Sequence, residues 1–287
     1  MAKKKFLQFS TTIFQTQDAL ILQGGSNMIA LMNSSKTMDF DPTAGKLKHT
    51  VPQFLKDSQL LVHELRKLSE PEFSKLLKTS EKLTKLNIER YAKWQIKAEG
   101  STSKQALLAF RGDIYSGMDV DNYKVREFEF AQNHVRILSG LYGILRPLDL
   151  IQPYRLEMAT KLATARGKNL YEFWGTKINE SISKLLKHEK SGVLINLCSL
   201  EYFNSIKTTS LDATVVTPVF KEYRDGSYRF VTLYAKKARG MMCNYIIQNH
   251  LRDVNDLKSF NVEGYRYNNK ISSDYEWAFT RGEADPH

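Results

Sequence analysis

The chain has 287 residues, of which 42% are hydrophobic and 25% charged, and its formal net charge is +11, from 42 Lys and Arg against 31 Asp and Glu. This composition is typical of a globular protein, and no apolar run approaches the roughly 18 residues of a transmembrane helix, so we expect no membrane partner. The positive charge favours an anionic partner, such as nucleic acid, a phosphorylated metabolite or an acidic surface. The alternative is a solvated, lysine-rich surface.

Cysteine and histidine usage argues against a disulfide framework and a metal site. Only Cys198 and Cys243 occur, so we expect a reducing compartment. The six histidines are scattered without ligand spacing, and we therefore predict no metal and no cofactor. The chain also lacks a P-loop, a G-x-G-x-x-G fingerprint, an H-E-x-x-H motif and a G-x-S-x-G motif.

The N-terminal segment differs in composition from the rest. Residues 1–27 contain three lysines, one acid and no arginine. A signal peptide needs an unbroken apolar centre, which Gln8 and Ser10 interrupt here, and a transit peptide would be rich in arginine. We therefore expect residues 1–27 to be an extension outside the fold and residues 28–287 to form one domain.

The first half of the domain is mostly helical by pattern. Residues 28–40 open with a short apolar strand and continue as a polar loop. Leucines at helical spacing predict a helix over 51–68. Ser69 is placed as the N-cap of a second helix over 69–83, and a third helix is predicted over 87–98.

The second half mixes helices with a buried strand. Residues 103–119 pass from a helix or strand into a loop. A helix is predicted over 124–140, with Gly140 as its C-cap, and another over 168–189. The continuous apolar run at 192–199 is typical of a strand that is buried on both faces.

A hairpin is the clearest local signal in the chain. Asp225-Gly226 is a type I′ turn pair, and the β-prone runs around it predict a hairpin over 219–235. A helix over 236–251 follows. Because helices and strands alternate without repeats or linkers, we predict an α/β (mixed α+β) class and a single compact domain.

The predicted helix over 236–251 begins with three cations. Lys236, Lys237 and Arg239 would stand in its first turn, where the helix dipole disfavours positive charge. A bound anion between these side chains and the free backbone N–H groups would explain them. The alternative is a solvated basic patch.

Four charged residues interrupt the otherwise apolar segment 138–158. An isolated charge in a core costs several kcal/mol, so Arg146, Asp149, Arg155 and Glu157 must be paired or must reach water. We expect the two carboxylates to form ion pairs that fix an irregular backbone. Arginine binds phosphate and carboxylate bidentately, so we assign Arg146 and Arg155 to a cleft.

Two other loops and one strand end carry similar groups. The loops 34–40 and 110–117 each combine a cation, an acid and small residues. The apolar run of 192–199 ends in polar groups, and α/β proteins place their sites at such strand ends. A simple turn or cap is the alternative for each one alone.

Five segments together resemble the YaaA family of bacterial peroxide-stress proteins, over about residues 28–270: SKTMDF, AFRGDIYSG, LSGLYGILRPLDLIQPYRLEM, INLCSLEYF and YAKKARGMM. The resemblance implies a cytosolic protein that limits hydrogen peroxide damage by lowering free intracellular iron. It also implies a single domain of unusual topology, a positively charged cleft that binds DNA, and a helix-hairpin-helix element.

The region that matches the helix-hairpin-helix element is 76–94. The general hairpin pattern has glycines in its turn, where we expect Lys85 and Asn87 in this chain. Lys82, Lys85 and Arg90 would then be the side chains that contact phosphates.

Two hypotheses of function remain open. In the first, a monomer binds double-stranded DNA independently of sequence, with an affinity that falls steeply with salt. In the second, the chain is an enzyme of unknown reaction on a small nucleotide- or carboxylate-like anion, which requires the candidate groups to converge in one pocket. The candidate DNA- or anion-binding residues are Lys36, Thr37, Arg111, Arg146, Arg155, Asn196, Lys236, Lys237 and Arg239.

Deleting residues 1–27 is expected to leave the free energy of unfolding of the domain unchanged, because the charge composition of this segment differs from that of the rest and the family resemblance begins at residue 28. Denaturant unfolding of the full and the shortened chain measures this. A loss of several kcal/mol in the shortened chain would place the segment inside the fold.

Overall fold

The computed structural model describes residues 27–41, 47–97 and 102–282. The extension predicted over residues 1–27 therefore lies, except for its last residue, outside the described residues. Asn27 contacts the domain, because its Nδ2 donates to Glu189 O (3.1 Å) and its carbonyl accepts a hydrogen bond from Ser191 Oγ (2.5 Å).

Twelve strands occur within the described residues. They are β1 (Met28–Asn33), β2 (Thr37–Met38), β3 (Lys104–Gln105), β4 (Phe110–Arg111), β5 (Val135–Ser139), β6 (Gly143–Leu145), β7 (Leu150–Ile151), β8 (Val193–Asn196), β9 (Thr214–Arg224), β10 (Ser227–Arg229), β11 (Arg266–Tyr267) and β12 (Glu276–Arg281). Eight of them form one sheet in the order β11-β12-β9-β8-β1-β5-β6, with β10 paired to β9.

The centre of this sheet is parallel. Strand β1 runs parallel to β5 and β8, and β9 runs parallel to β8 and β12, whereas β6, β10 and β11 are antiparallel additions. Residues 28–32 and 193–195 are at most 1% exposed. Burial on both faces explains why the sequences of β1 and β8 are continuously apolar instead of alternating.

Nine α-helices occur in the same ranges. They are α1 (Leu55–Arg66), α2 (Glu70–Leu77), α3 (Glu81–Lys93), α4 (Ala106–Ala109), α5 (Val125–His134), α6 (Leu170–Trp174), α7 (Lys177–Glu189), α8 (Leu200–Phe203) and α9 (Thr232–Gln248). The predicted α/β class and single domain agree with this arrangement. The predicted hairpin is confirmed, because Asp225 and Gly226 both have the positive φ angles, 48° and 79°, of a type I′ turn.

Two predicted helices are each divided into two elements. The helix predicted over 124–140 ends at His134, because Val135–Ser139 form the buried strand β5 beside β1, and its pairing outweighs the helical spacing. Gly140 is therefore no C-cap; a Cβ there would lie 2.3 Å from Leu156 O, so the glycine permits a close backbone contact. The helix predicted over 168–189 breaks at Gly175, whose φ is 50°.

The carboxylate of Asp149 holds the irregular part of segment 138–158. Asp149 is 1% exposed, and its Oδ2 accepts from the backbone N of Arg146 (2.8 Å). Its Oδ1 accepts from Arg146 Nε (3.1 Å) and from Thr50 Oγ1 (2.6 Å). The Asp149 carbonyl in turn accepts from the backbone N of Ala106. The side chain and the carbonyl of Asp149 together thus join three separate segments, as expected for an acid that fixes the backbone.

A pair of glycines joins two of the segments that carry the candidate cations. Helix α9 crosses the 3₁₀ turn Tyr115–Gly117 so closely that a Cβ at Gly240 would lie 1.7 Å from Ile114 O. A Cβ at Gly117 would lie 2.1 Å from Lys237 O. No side chain fits between the two backbones, so both positions require glycine.

Asp149→Ala is expected to lower the free energy of unfolding by about 3–5 kcal/mol, because it leaves a guanidinium, a hydroxyl and a buried backbone N–H without their acceptor. Arg146→Ala is the matched control. It should cost clearly less, because the side chain of Arg146 is 40% exposed and water can replace it. Urea unfolding of both variants measures the difference, and equal losses would contradict the assignment.

Gly240→Ala is expected to destabilise the protein by about 1–3 kcal/mol, because the new methyl group overpacks the contact with Ile114. The sign of the change in the free energy of unfolding is diagnostic, since the same substitution in an uncrowded helix stabilises by roughly 0.5–1 kcal/mol. Urea unfolding measures it. A more stable variant would show that α9 does not lie against the turn at 115–117.

Candidate functional site

Polar side chains tie the carboxyl ends of the parallel strands together. Asn33 Oδ1 accepts from the backbone N of Ser199 (2.9 Å), which joins the ends of β1 and β8. Asn196 Oδ1 accepts from the backbone N of Cys198 (3.0 Å), and its Nδ2 donates to Thr217 Oγ1 (3.3 Å). Asn196, a predicted site residue, therefore makes its hydrogen bonds with neighbouring residues at the strand ends.

Buried tyrosines lie beneath this edge of the sheet. Ser34 Oγ donates to the hydroxyl of Tyr202 (3.2 Å), and the hydroxyl of Tyr154 shares a hydrogen bond of 2.7 Å with Ser139 Oγ. Burial raises the pKa of both phenols, and it raises the pKa of Tyr142 to about 12. The three hydroxyls therefore stay protonated at neutral pH and act as neutral hydrogen-bonding groups.

A cleft of about 770 Å³ opens between this edge and the helical hairpin α2–α3. Its charged lining consists of five cations and three carboxylates: Lys36, Lys75, Lys78, Arg155 and Lys161, with Glu72, Glu157 and Glu201. Two of the cations, Lys36 and Arg155, were predicted from the sequence. The lining has a surplus of two positive charges.

Glu157 holds the two predicted cations at the base of the cleft. Its Oε1 lies 2.9 Å from Lys36 Nζ and 3.4 Å from Arg155 Nη2. Glu157 therefore lies in the cleft and pairs there with Arg155. Glu201 lies beside this group, and its Oε1 accepts from the backbone N of Ala159 (3.1 Å).

Arg155 has an unsatisfied donor. Its side chain is 17% exposed, and its Nε is buried without an acceptor among the described residues. The hydroxyl of Tyr91 donates to the Arg155 carbonyl (2.7 Å) and so fixes the backbone at this point. A buried N–H without an acceptor is unfavourable, so an anion that accepts from it would be stabilised.

The hairpin contributes cations that the sequence analysis missed. Its turn lies at residues 78–80, and Lys78 has a left-handed conformation with φ of 51°. Lys75 and Lys78 both line the cleft. The pattern Ser80-Glu81 is an N-cap followed by a first-turn acid, and it was the available signal that α3 begins at Glu81.

The prediction of a turn at Lys85 and Asn87 is wrong. Both lie inside α3, where Lys85 Nζ is 2.6 Å from Glu81 Oε1 and the buried Asn87 donates to Leu83 O. Arg90 Nη1 donates to Asn87 Oδ1 (3.3 Å). The three residues that were predicted to contact phosphates do not line the cleft: Lys82, Lys85 and Arg90.

One further predicted cation, Arg111, lines another cavity, of about 410 Å³, together with Asp113 and Asp121. Arg111 Nη2 lies 3.2 Å from Asp121 Oδ1 and 3.4 Å from Asp39 Oδ2. A backbone hydrogen bond from Asp41 and the charges of Lys104 and Arg111 lower the pKa of Asp39. Arg111 is therefore held between two acidic side chains.

The short ladder of β2 and β4 links this group to the cleft. Thr37 pairs with Arg111 in that ladder, one residue after Lys36. Thr37 is exposed, and its backbone N donates to Ser35 Oγ (3.2 Å). Its role is to join the loop of Lys36 to the loop of Arg111.

The predicted position of three cations in the first turn of a helix is wrong. Helix α9 begins at Thr232, so Lys236, Lys237 and Arg239 lie beyond its first turn and away from its free N–H groups. Two of them have acids as partners. Lys236 Nζ lies 3.0 Å from Asp113 Oδ2, and Lys237 Nζ lies 2.5 Å from Glu263 Oε1.

Arg239 differs from its two neighbours. It is partly buried, burial lowers the pKa of its guanidinium, and the charge interaction with Cys198 opposes that shift. Cys198 follows the end of β8, where burial keeps its own pKa far above the ordinary thiol value. Arg239 thus lies on the strand-end side of the sheet.

Arg146 lies apart from all of these residues. It lines a separate cavity with Arg136 and Lys184, between β6 and α7. The nine candidate residues therefore do not converge in one pocket. Lys36 and Arg155 share the cleft, Arg111 and Lys236 belong to the group around Asp113, and Arg146 is elsewhere.

The described residues lack both a metal-binding group and a helix that could span a membrane. No three His, Cys, Asp or Glu side chains come together there in a way that could hold a metal ion. None of the helices in those ranges has the length and apolar character that a bilayer span requires.

Comparison with known proteins agrees with the resemblance seen in the sequence. The family described as "Peroxide stress protein YaaA" matches residues 28–271. A UPF0246 protein of Colwellia psychrerythraea is 46% identical over 257 residues, which cover 90% of this chain and all of the relative. A UPF0246 protein of Cellvibrio japonicus is 47% identical over 256 residues, or 89% of this chain and 99% of the relative. The chain belongs to the YaaA family of peroxide stress proteins.

Proposed function

We propose that the chain acts in the peroxide stress response by binding double-stranded DNA in the cleft between the helical hairpin and the strand ends. The observation that carries the proposal is the surplus of cations in that cleft, five against three carboxylates. Lysine contacts to phosphates carry no sequence information, so the binding is independent of sequence. The affinity for DNA falls as the salt concentration rises, because binding releases counterions that are condensed on the DNA.

The distribution of the lysines supports contact through the inner side of the hairpin. Lys75 and Lys78 line the cleft, and both side chains have no acid partner among the described residues. Glu72, the nearest acid of α2, is engaged by the backbone N and the hydroxyl of Ser69 (2.8 and 2.6 Å). These hydrogen bonds lower the pKa of Glu72, so it stays ionised but is held at the helix start.

The proposal treats lower free iron as an indirect effect of DNA binding. The sequence contains no Glu-x-x-His pair of the kind that builds di-iron sites in helical bundles, and it contains only two cysteines. Both cysteines are buried, and burial raises the pKa of both thiols. A protonated thiol is a poor metal ligand.

A second candidate function is an enzyme that acts on a small anion in the same cleft. The specific observation in its favour is the group at the base, where the unsatisfied Nε of Arg155 lies beside Glu157 and close to the strand ends. Arg155 would bind the anionic part of a substrate. Glu157 and Glu201 would be the groups available for proton transfer.

The DNA proposal is tested with two charge-matched double variants of the hairpin. Lys75→Glu/Lys78→Glu changes the cleft, and the control Lys82→Glu/Lys85→Glu changes the exposed side of α3 by the same charge. We expect the first pair to weaken duplex binding at least about tenfold more than the control and to reduce the salt slope by about two. Fluorescence anisotropy of a labelled duplex at several KCl concentrations measures both quantities, with circular dichroism to confirm folding.

Equal losses of DNA affinity in the two double variants would contradict binding in the cleft. A larger loss of affinity in the control variant would assign the DNA contact to the outer face of α3. A wild-type chain without measurable DNA affinity would favour the enzyme. In that case nucleotides and carboxylates should raise the melting temperature of the wild-type chain. Arg155→Gln should abolish that rise.

A further inference from the structure

A second basic cavity lies away from the cleft. It has a volume of about 350 Å³ and opens between β6 and α7. Arg136 is the second residue of β5, and Arg146 directly follows β6, which is antiparallel to β5. Both arginines therefore lie toward the amino edge of the parallel strands, opposite the carboxyl edge that borders the cleft.

Arg136 carries a poorly compensated charge. Its Nη1 donates to the carbonyls of Gln132 (2.8 Å) and Val135 (2.7 Å), and within the described ranges it pairs with no carboxylate. Burial, and after it the positive charge of Arg146, lower the pKa of Arg136 to about 10, while the charges of Asp149 and Glu189 oppose this shift. The two arginines thus repel each other at one cavity.

The one acid of the cavity does not balance these charges. Asp149 is fully engaged by Arg146 and by Thr50 Oγ1. Lys184 of α7 adds a third cation, which forms no ion pair or hydrogen bond with another described residue. The cavity therefore has three cations against one carboxylate and a surplus of two positive charges.

We propose that this cavity binds a phosphate dianion, either free or as the head of a small phosphate monoester. The guanidinium donors that make no hydrogen bond with a described residue, Nε and Nη2 of Arg136 and Nη1 of Arg146, are available to phosphate oxygens, and Lys184 provides a point charge. A dianion matches the surplus of two charges. Ser181 Oγ and Gln53 Oε1, which are hydrogen-bonded to each other (2.8 Å), supply neutral polar groups at the rim.

The volume and the apolar wall indicate space for more than the phosphate group. Ile144, Leu145 and Leu185 line the cavity beside the charged groups. An ester substituent of a few carbon atoms can pack against these side chains while the phosphate contacts the arginines. The site is independent of the DNA proposal, because none of its residues lines the cleft.

The test is isothermal titration of the full chain with inorganic phosphate and, separately, with glycerol 1-phosphate, at constant ionic strength. Lys184→Gln removes one cation of the cavity. The control Lys187→Gln removes the same charge one turn further along α7, where the side chain is exposed and outside the cavity. We expect saturable binding that is about tenfold weaker in Lys184→Gln and unchanged in Lys187→Gln, the effect of one charge-assisted hydrogen bond.

A third variant, Arg155→Gln, separates this site from the cleft and should bind phosphate as the wild type does. Tighter binding of glycerol 1-phosphate than of phosphate would identify a monoester as the ligand, and the reverse order would identify free phosphate. The proposal is overturned by the absence of saturable binding, by equal losses in Lys184→Gln and Lys187→Gln, or by loss of binding in Arg155→Gln. Because Lys184 and Lys187 are exposed, neither variant threatens the fold.

Discussion

The buried carboxylate of Asp149 is the constraint on which the rest of the molecule depends. The segment 138–158 is apolar and irregular, so its backbone groups cannot all be satisfied by helix or sheet and must find other partners. Asp149 accepts from the backbone N of Arg146 and from Thr50, and its own carbonyl accepts from Ala106. The strands on either side of Asp149, β6 and β7, are only three and two residues long, which is too short for strand pairing alone to hold the segment.

The same segment supplies side chains to both basic sites. Arg146, which precedes Asp149 in the chain, lines the cavity beside α7, and Arg155, which follows Asp149, lines the cleft beside the hairpin. Elsewhere the candidate cations Arg111, Lys236 and Lys237 pair with acids of other segments, as Lys236 does with Asp113. Cations that are paired with acids in this way stabilise the structure. Positive charge remains available to a ligand only where acids are lacking or already engaged by other groups.

Much of the fold was predictable because its strongest signals are local. The apolar runs of β1 and β8 and the Asp225 turn depend on neighbouring residues, and the structure has all three. Strand β5 was missed because its apolar positions continue the helical spacing of α5, and only the pairing with β1 decides between them. In the cleft, Lys36 and Arg155 were predicted from their motifs. Lys75 and Lys78 were not, because a surface lysine has no local signature and acquires a role only when the hairpin folds over the strand ends.

Glu157 gives the cleft a tethered counterion. It pairs with both Lys36 and Arg155 when no ligand is present, so any incoming anion must compete with a carboxylate that is covalently part of the site. A displaced dissolved ion gains translational entropy, whereas a displaced side chain stays nearby at high effective concentration. When an anion binds, Lys36 and Arg155 therefore exchange the Glu157 carboxylate for the anion. The two cations at the base of the cleft will contribute less to the ionic-strength dependence of binding than two unpaired cations would.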